Sequence, residues 1–137
     1  MCGIAGYIGH PDYYNETTLQ FFIQIQHHRG RDAQGTFRDG NVGLAHNRLS
    51  ILDTSSKSNQ PFRSQCNRYV MVFNGEVYNF KELAQKYQIA TRTSSDTEVI
   101  LECFAKLGTA CVEEFRGMFA IAIYDREEKC IHLLITN

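Results

Sequence analysis

A chain of 137 residues has the length of one domain, 1–137, and a domain this size buries about two-thirds of its unfolded surface, enough for a core. Its 14 lysines and arginines against 15 aspartates and glutamates give net charge −1, with no basic block and no aromatic–basic interleaving. That balance gives no support to a nucleic-acid or anionic-membrane partner and suits a small neutral or zwitterionic substrate. Five cysteines, Cys2, Cys66, Cys103, Cys111 and Cys130, are odd in number and widely spaced without a C-x-x-C pair. Neither a disulfide framework nor a metal site is indicated, and a reducing cytoplasm is the expected location. No run of eighteen apolar residues and no basic-then-apolar leader is present, so neither a membrane span nor a signal peptide is expected.

Cys2 to Ile8 reads as a short buried strand, with Ile4 and Tyr7 among small residues. A helix follows from the Asn15/Thr17 start through Leu19, Phe22, Ile23 and Gln26, with Gly30 as its C-cap and His27, His28 and Arg29 at its end. Thr36 to Arg38, Asp39-Gly40 and Asn41 to His46 form a hairpin around a type I′ turn, continued by Arg48 to Leu52. The polar stretch from Asp53 to Gln65 is read as a loop, with Asn59, Gln60 and Pro61 ordering it through side-chain to backbone hydrogen bonds. Tyr69 to Phe73 is β-branched and aromatic, hence a strand, which Asn74-Gly75 ends. Asn79 with Glu82, and Ser95 with Glu98, match capping boxes that open two helices, the second running to Gly108. Gly117–Tyr124 and Cys130–Ile135 make a final antiparallel pair. Strands in hairpins with helices grouped between them indicate an α+β fold with helices on the outer faces of antiparallel sheets.

The dipeptide Met1-Cys2 carries the most chemistry. Removal of Met1 leaves a thiol and a free α-amine on one residue, a nucleophile with its own base. With a pKa of about 7.7–8.0, roughly a third of that amine is free base near pH 7.5, against about 0.1% of a lysine. The alternative is that Cys2 is a small buried hydrophobe. Asn74-Gly75 is either a plain hairpin turn or a turn whose Asn74 amide N–H₂ and Gly75 backbone N–H stabilise an oxyanion. Arg48 is either a surface cation or a bidentate carboxylate binder. Asp96 either complements a helix dipole or holds a cationic amino group. His46 and the His27/His28 pair suggest a Cys–His dyad, but lone histidines near strand ends are more often satisfied structural residues, and the free α-amine makes a histidine base unnecessary. Glu76 is either a surface charge or a substrate contact.

Several segments together resemble a known family. They are Met1-Cys2-Gly3-Ile4-Ala5-Gly6, His28-Arg29-Gly30-x-Asp32 with Gly35, and His46-x-Arg48-Leu49-Ser50-Ile51-x-Asp53. Gln60-Pro61, Phe73-Asn74-Gly75-Glu76-Val77-Tyr78-Asn79, Ser95-Asp96-Thr97-Glu98-Val99-Ile100-Leu101 and Gly117-x-Phe119-Ala120-x-Ala122-Ile123-x-Asp125 complete the set. In order and spacing they resemble the glutaminase domain of class II glutamine amidotransferases, which are N-terminal nucleophile hydrolases. The R-L-S-I-x-D form of the arginine motif is most similar to the asparagine synthetase branch.

The resemblance implies a four-layer αββα sandwich with the nucleophile at a strand start between two sheets. It implies glutamine as substrate, with Cys2 attacking its side-chain amide, the α-amine shuttling the proton, and Asn74 and Gly75 forming the oxyanion hole. Arg48 would bind the substrate carboxylate and Asp96 its amino group, with Ile51, Leu52 and Glu76 as further contacts. Arg31 stands where the family usually has proline. The sequence stops at Leu134-Ile135-Thr136-Asn137, where family members continue into further strands and a synthetase domain with a Ser-Gly-Gly-x-Asp-Ser nucleotide loop. The expectation is therefore an ammonia-producing part, possessing no cofactor of its own, truncated at its C-terminus so that a sheet edge is left unpaired. ATP, Mg²⁺ and the ammonia acceptor would belong to a synthetase domain or subunit.

Overall fold

The computed structural model describes residues 1–50 and 56–136. The described residues form seven strands and three α-helices, in chain order β1 (Gly3–Ile8), α1 (Glu16–Ile25), β2 (Ala33–Asp39), β3 (Val42–Arg48), β4 (Phe62–Arg63), β5 (Tyr69–Val77), α2 (Phe80–Lys86), α3 (Asp96–Leu107), β6 (Gly117–Asp125) and β7 (Cys130–Ile135). The strands form two antiparallel sheets, one ordered β1-β3-β2 and the other β4-β5-β6-β7.

The period-two alternation of the strands assigns each face to a layer. Val42 and Leu44 of β3, Val70 and Val72 of β5, and Ala122 and Tyr124 of β6 pack together between the sheets. The intervening residues of β5 and β6, Met71, Phe73, Ile121 and Ile123, face the opposite way and form a core with Leu83 of α2 and Val99, Ile100, Leu101, Cys103 and Phe104 of α3. On the far side of the other sheet, Ala45 and Tyr7 meet Leu19 and Ile23 of α1. The layers are thus α1, sheet, sheet and α2/α3, the expected αββα sandwich.

Local chemistry explains where boundaries differ from the sequence reading. Asn15 caps α1, its side chain accepting from Thr17 N–H at 3.0 Å while Thr18 Oγ1 accepts from Asn15 N–H at 3.1 Å. The helix ends at Gln26, and Gly30 instead closes a short 3-10 turn over His27–Arg29 in an extended conformation. The first hairpin loop is Gly40-Asn41 rather than Asp39-Gly40, since Asp39 pairs with Val42. Gly40 alone takes a positive φ there, 59°, a glycine-first turn rather than type I′. Neither proposed capping box forms. Asn79 instead uses its amide to bind Glu114 O and Arg116 N–H, and Glu98 accepts from the backbone of Arg92 and Thr93. Within the stretch read as loop, Phe62–Arg63 adds a two-residue edge strand, and Gln60 does hydrogen-bond to backbone.

At the end of the β6–β7 hairpin, Arg68 Nε and Nη2 donate to the two oxygens of buried Asp125 at 2.9 and 2.8 Å. This fork holds the carboxyl down to a pKa of about 2, below its ordinary 3.8. A depressed carboxylate contributes stability above its unfolded pKa and loses it as pH falls. Between about pH 4 and 2 the protein is therefore expected to lose stability more steeply than its Asp125→Asn variant. Chemical denaturation at half-unit pH steps reads the difference, and parallel curves would contradict it.

Candidate active site

Cys2 sits immediately before β1, on the central side of the sandwich, where two contacts fix it. Arg29 Nε donates to its carbonyl at 3.0 Å, and Leu49 N–H donates to its Sγ at 3.3 Å. The half-buried sulfur opens on a cleft also lined by Arg48, Gln60, Gly75, Glu76 and Asp96. Asn74 lines an adjoining cavity together with Met1, Cys2 and Gly75. Cys2, Arg48, Gly75, Glu76 and Asp96 thus share one space, and Asn74 lines the adjoining cavity, which has Cys2, Gly75 and Glu76 in common with it. Ile51 and Leu52 lie outside the described residues.

Asn74-Gly75 does not end β5; the strand continues through it, with Asn74 opposite Ala120 and Gly75 opposite Phe119. Strand alternation then decides where the Gly75 N–H points. Tyr69, Phe73 and Val77 share its parity, and their N–H groups all turn away from β6: to Ser64 Oγ at 3.1 Å, Gln60 Oε1 at 2.6 Å and Asp96 Oδ2 at 3.0 Å. Phe119, opposite Gly75, engages Thr136 with both its N–H and its carbonyl. Gly75 N–H accordingly faces the cleft, between two neighbours whose N–H groups are already bound. Only glycine fits there: φ is 138°, and a Cβ would stand 2.1 Å from Met118 O.

The charged residues are held from behind. Arg48 ends β3, 7% exposed, and Nη1 donates to Asn59 Oδ1 at 2.6 Å. Asp96 opens α3, 6% exposed, and its carboxyl pKa is raised, first by burial and further by the nearby charge of Glu76. An acid so placed gains from a cation that enters beside it. Glu76 is half-buried on the cleft wall. Asp32, in the segment after α1, accepts from Ser50 N–H at 2.8 Å and so ties the chain just beyond Arg48 and Leu49.

His46 takes no part in a cysteine dyad. It is fully buried, and burial pushes its imidazole down to about 4, so it is neutral near pH 7. Nε2 donates to Phe73 O at 3.1 Å, tying β3 to β5 beside Asn74. Sequence reading gave Asn59 and Gln60 a loop-ordering role without placing them at the site, Asn59 behind Arg48 and Gln60 behind Phe73, and it missed the Leu49 N–H on the sulfur. Asn59 and Gln60 were visible as polar residues in a loop, but their partners are 11 and 13 residues away and on other elements. No local signal names them.

Residues 1–135 match the model of the glutamine amidotransferase domain family. A putative asparagine synthetase (glutamine-hydrolyzing) 2 of Methanocaldococcus jannaschii is 36% identical over 96% of this chain and 29% of its own length. Asparagine synthetase B (glutamine-hydrolyzing) of Escherichia coli is 38% identical over 77% of this chain and 19% of its own. The chain therefore spans less than a third of the length of these relatives. Among solved structures, glutamine phosphoribosylpyrophosphate amidotransferase from B. subtilis superposes with a TM-score of 0.69 over 92% of this chain and 35% of that one, at 23% identity, a likeness of fold. With matched residues running from the N-terminal cysteine through β7, the chain belongs to the glutamine amidotransferase domain family, in the form found in asparagine synthetase-like proteins.

Proposed function

We propose that this chain hydrolyses glutamine to glutamate and ammonia through a thioester on Cys2, and that the ammonia serves asparagine synthesis from aspartate on a synthetase domain or subunit. The observation that carries the reading is the convergence of a thiol, a cleft-facing backbone N–H, an arginine and a buried aspartate on one cleft. Once Met1 is removed, the α-amine of Cys2 takes the thiol proton as Sγ attacks the side-chain carbonyl carbon. The Gly75 N–H and the Asn74 amide receive the developing oxyanion. The C–N bond breaks, the amine returns its proton to the leaving nitrogen, and ammonia departs. Water, deprotonated by the same amine, then attacks the thioester carbon, the C–S bond breaks, and the amine returns its proton to Sγ as glutamate leaves. Arg48 binds the substrate α-carboxylate, Asp96 its ammonium, and Glu76 the remaining polar edge.

Met1 is 70% exposed, which suits its removal by an aminopeptidase. All five cysteines are free thiols, which suits a reducing cytoplasm. This chain uses no cofactor for these steps; ATP and Mg²⁺ are assigned to the synthetase part.

The test is glutamate release from glutamine by the Met1-processed chain. The charge anchors give a finer readout: Arg48→Lys and Asp96→Asn are each expected to raise KM about 10–100-fold, because the fork and the ammonium partner are lost while the thiol and oxyanion donors remain. Unchanged KM in both variants, or no glutamate from the processed chain alone or with a synthetase partner added, would overturn the assignment.

A further inference from the structure

Across the sandwich from the cleft, the β6–β7 hairpin brings together three side chains that the glutaminase chemistry does not use. Asp125 ends β6, Cys130 lies directly opposite it at the start of β7, and His132 follows two residues on, so that Cys130 and His132 project from one face of the strand. Their ligand atoms all lie within 4.8 Å of one another. Cys130 Sγ is 3.6 Å from His132 Nε2. Two ligands at about 2.3 Å for sulfur and about 2.0–2.1 Å for nitrogen, on a tetrahedral zinc, stand about 3.6 Å apart.

We infer that Cys130, His132 and Asp125 form a binding site for a borderline divalent cation of the zinc class, with the fourth position open to water. A thiolate, an imidazole and a carboxylate suit that class and not magnesium or calcium, which take oxygen ligands. Asp125 keeps capacity for it: Oδ1 receives Arg68 Nε and the Glu127 and Glu128 N–H groups, whereas Oδ2, among the described residues, receives one donor, Arg68 Nη2. The Arg68 charge is shared with Glu127 Oε2 at 3.2 Å, and Lys129 is drawn off to Asp39. The Phe104 ring, 5.2 Å from the imidazole, packs beside His132. On binding, the Cys130 S–H proton passes to water as the metal–sulfur bond forms, His132 supplies the Nε2 lone pair, and no group is oxidised or reduced. The ion ties the start of β7 to the end of β6, at the opposite end of the sheet from Gly75.

The test uses the Cys2→Ala chain, which removes the reactive thiol and makes the result independent of glutamine hydrolysis. Titration with Co²⁺, followed by sulfur-to-cobalt charge-transfer absorption, is expected to reach one ion per chain, displaced by Zn²⁺. Zn²⁺ should also raise the thermal midpoint. Cys130→Ser and His132→Gln should each weaken binding at least tenfold, and Cys66→Ser should leave it unchanged. No binding below about 1 mM, or binding that survives Cys130→Ser in a chain whose circular dichroism matches the parent, overturns the inference.

Discussion

Cys2→Ala is expected to lower glutamine turnover by on the order of 10⁴–10⁶-fold, the scale of nucleophile removal in enzymes whose catalytic groups act as a unit. The substitution takes away one half-buried sulfur whose hydrogen bonds, among the described residues, go to the Leu49 backbone, at 3.3 Å from its N–H and 3.7 Å from its carbonyl. Arg48, Asp96 and the Gly75 N–H keep their own supports, in Asn59, Val77 and the strand alternation. The variant should therefore fold with a thermal midpoint close to the parent and bind glutamine by calorimetry while releasing almost no glutamate. A chain in which Met1 is retained should fall with it, because the nitrogen of Cys2 is then a peptide nitrogen and cannot accept a proton. Intact mass reads both conditions: the unreacted mass shows whether Met1 is present, and with a glutamine-like electrophile the processed parent gains one adduct while the alanine variant gains none. A Cys2→Ala chain that keeps more than about a hundredth of parental turnover would reject the thioester.

Gly75→Ala should be the most damaging substitution in the strand. The methyl group would meet Met118 O at 2.1 Å and the backbone would be held at φ 138°, where an L side chain is strained. The expected cost is at least about 3 kcal/mol of stability, combining backbone strain with overpacking between two paired strands. Relief requires β5 to shift against β6, which moves the Gly75 N–H away from the cleft. Loss of one such donor typically costs about 3–4 kcal/mol of barrier, so any folded fraction should turn over about 10²–10³-fold more slowly. Gly40→Ala provides the contrast: it shares a positive φ, 59°, but has nothing within 4 Å of an added Cβ and lies far from the cleft. It should cost only stability. A Gly75→Ala protein with parental melting and turnover would mean that the glycine holds no special backbone.

The elements themselves were largely legible, because burial on one face imposes a period that the residues must carry. Val70 and Val72 against Met71 and Phe73 is an alternation, and the asparagine before α1 is a cap that needs only its next three residues. Asn74-Gly75 misled local reading. The dipeptide is the strongest short turn signal, yet pairing with Ala120 and Phe119, more than forty residues later, keeps it in the strand. The two absent capping boxes failed for a related reason: Asn79 and Glu98 found better partners on neighbouring segments.

Which groups are available, and in what order, could be read along the chain: a cysteine behind one removable methionine, Arg48 at a strand end, Asn74-Gly75, and Asp96 at a helix start. These follow from residue identity and local spacing. Their directions came from long-range packing. Gly75 N–H faces the cleft because Phe119 is occupied by Thr136, and Arg48 is steadied because Asn59 folds back onto it. Asp96 bears on the site because Val77 draws its carboxylate to the edge of β5, and burial there raises its proton affinity. Such directions depend on hydrogen bonds between residues distant in the chain, and burial on the layers that enclose them, neither of which is a property of any local window.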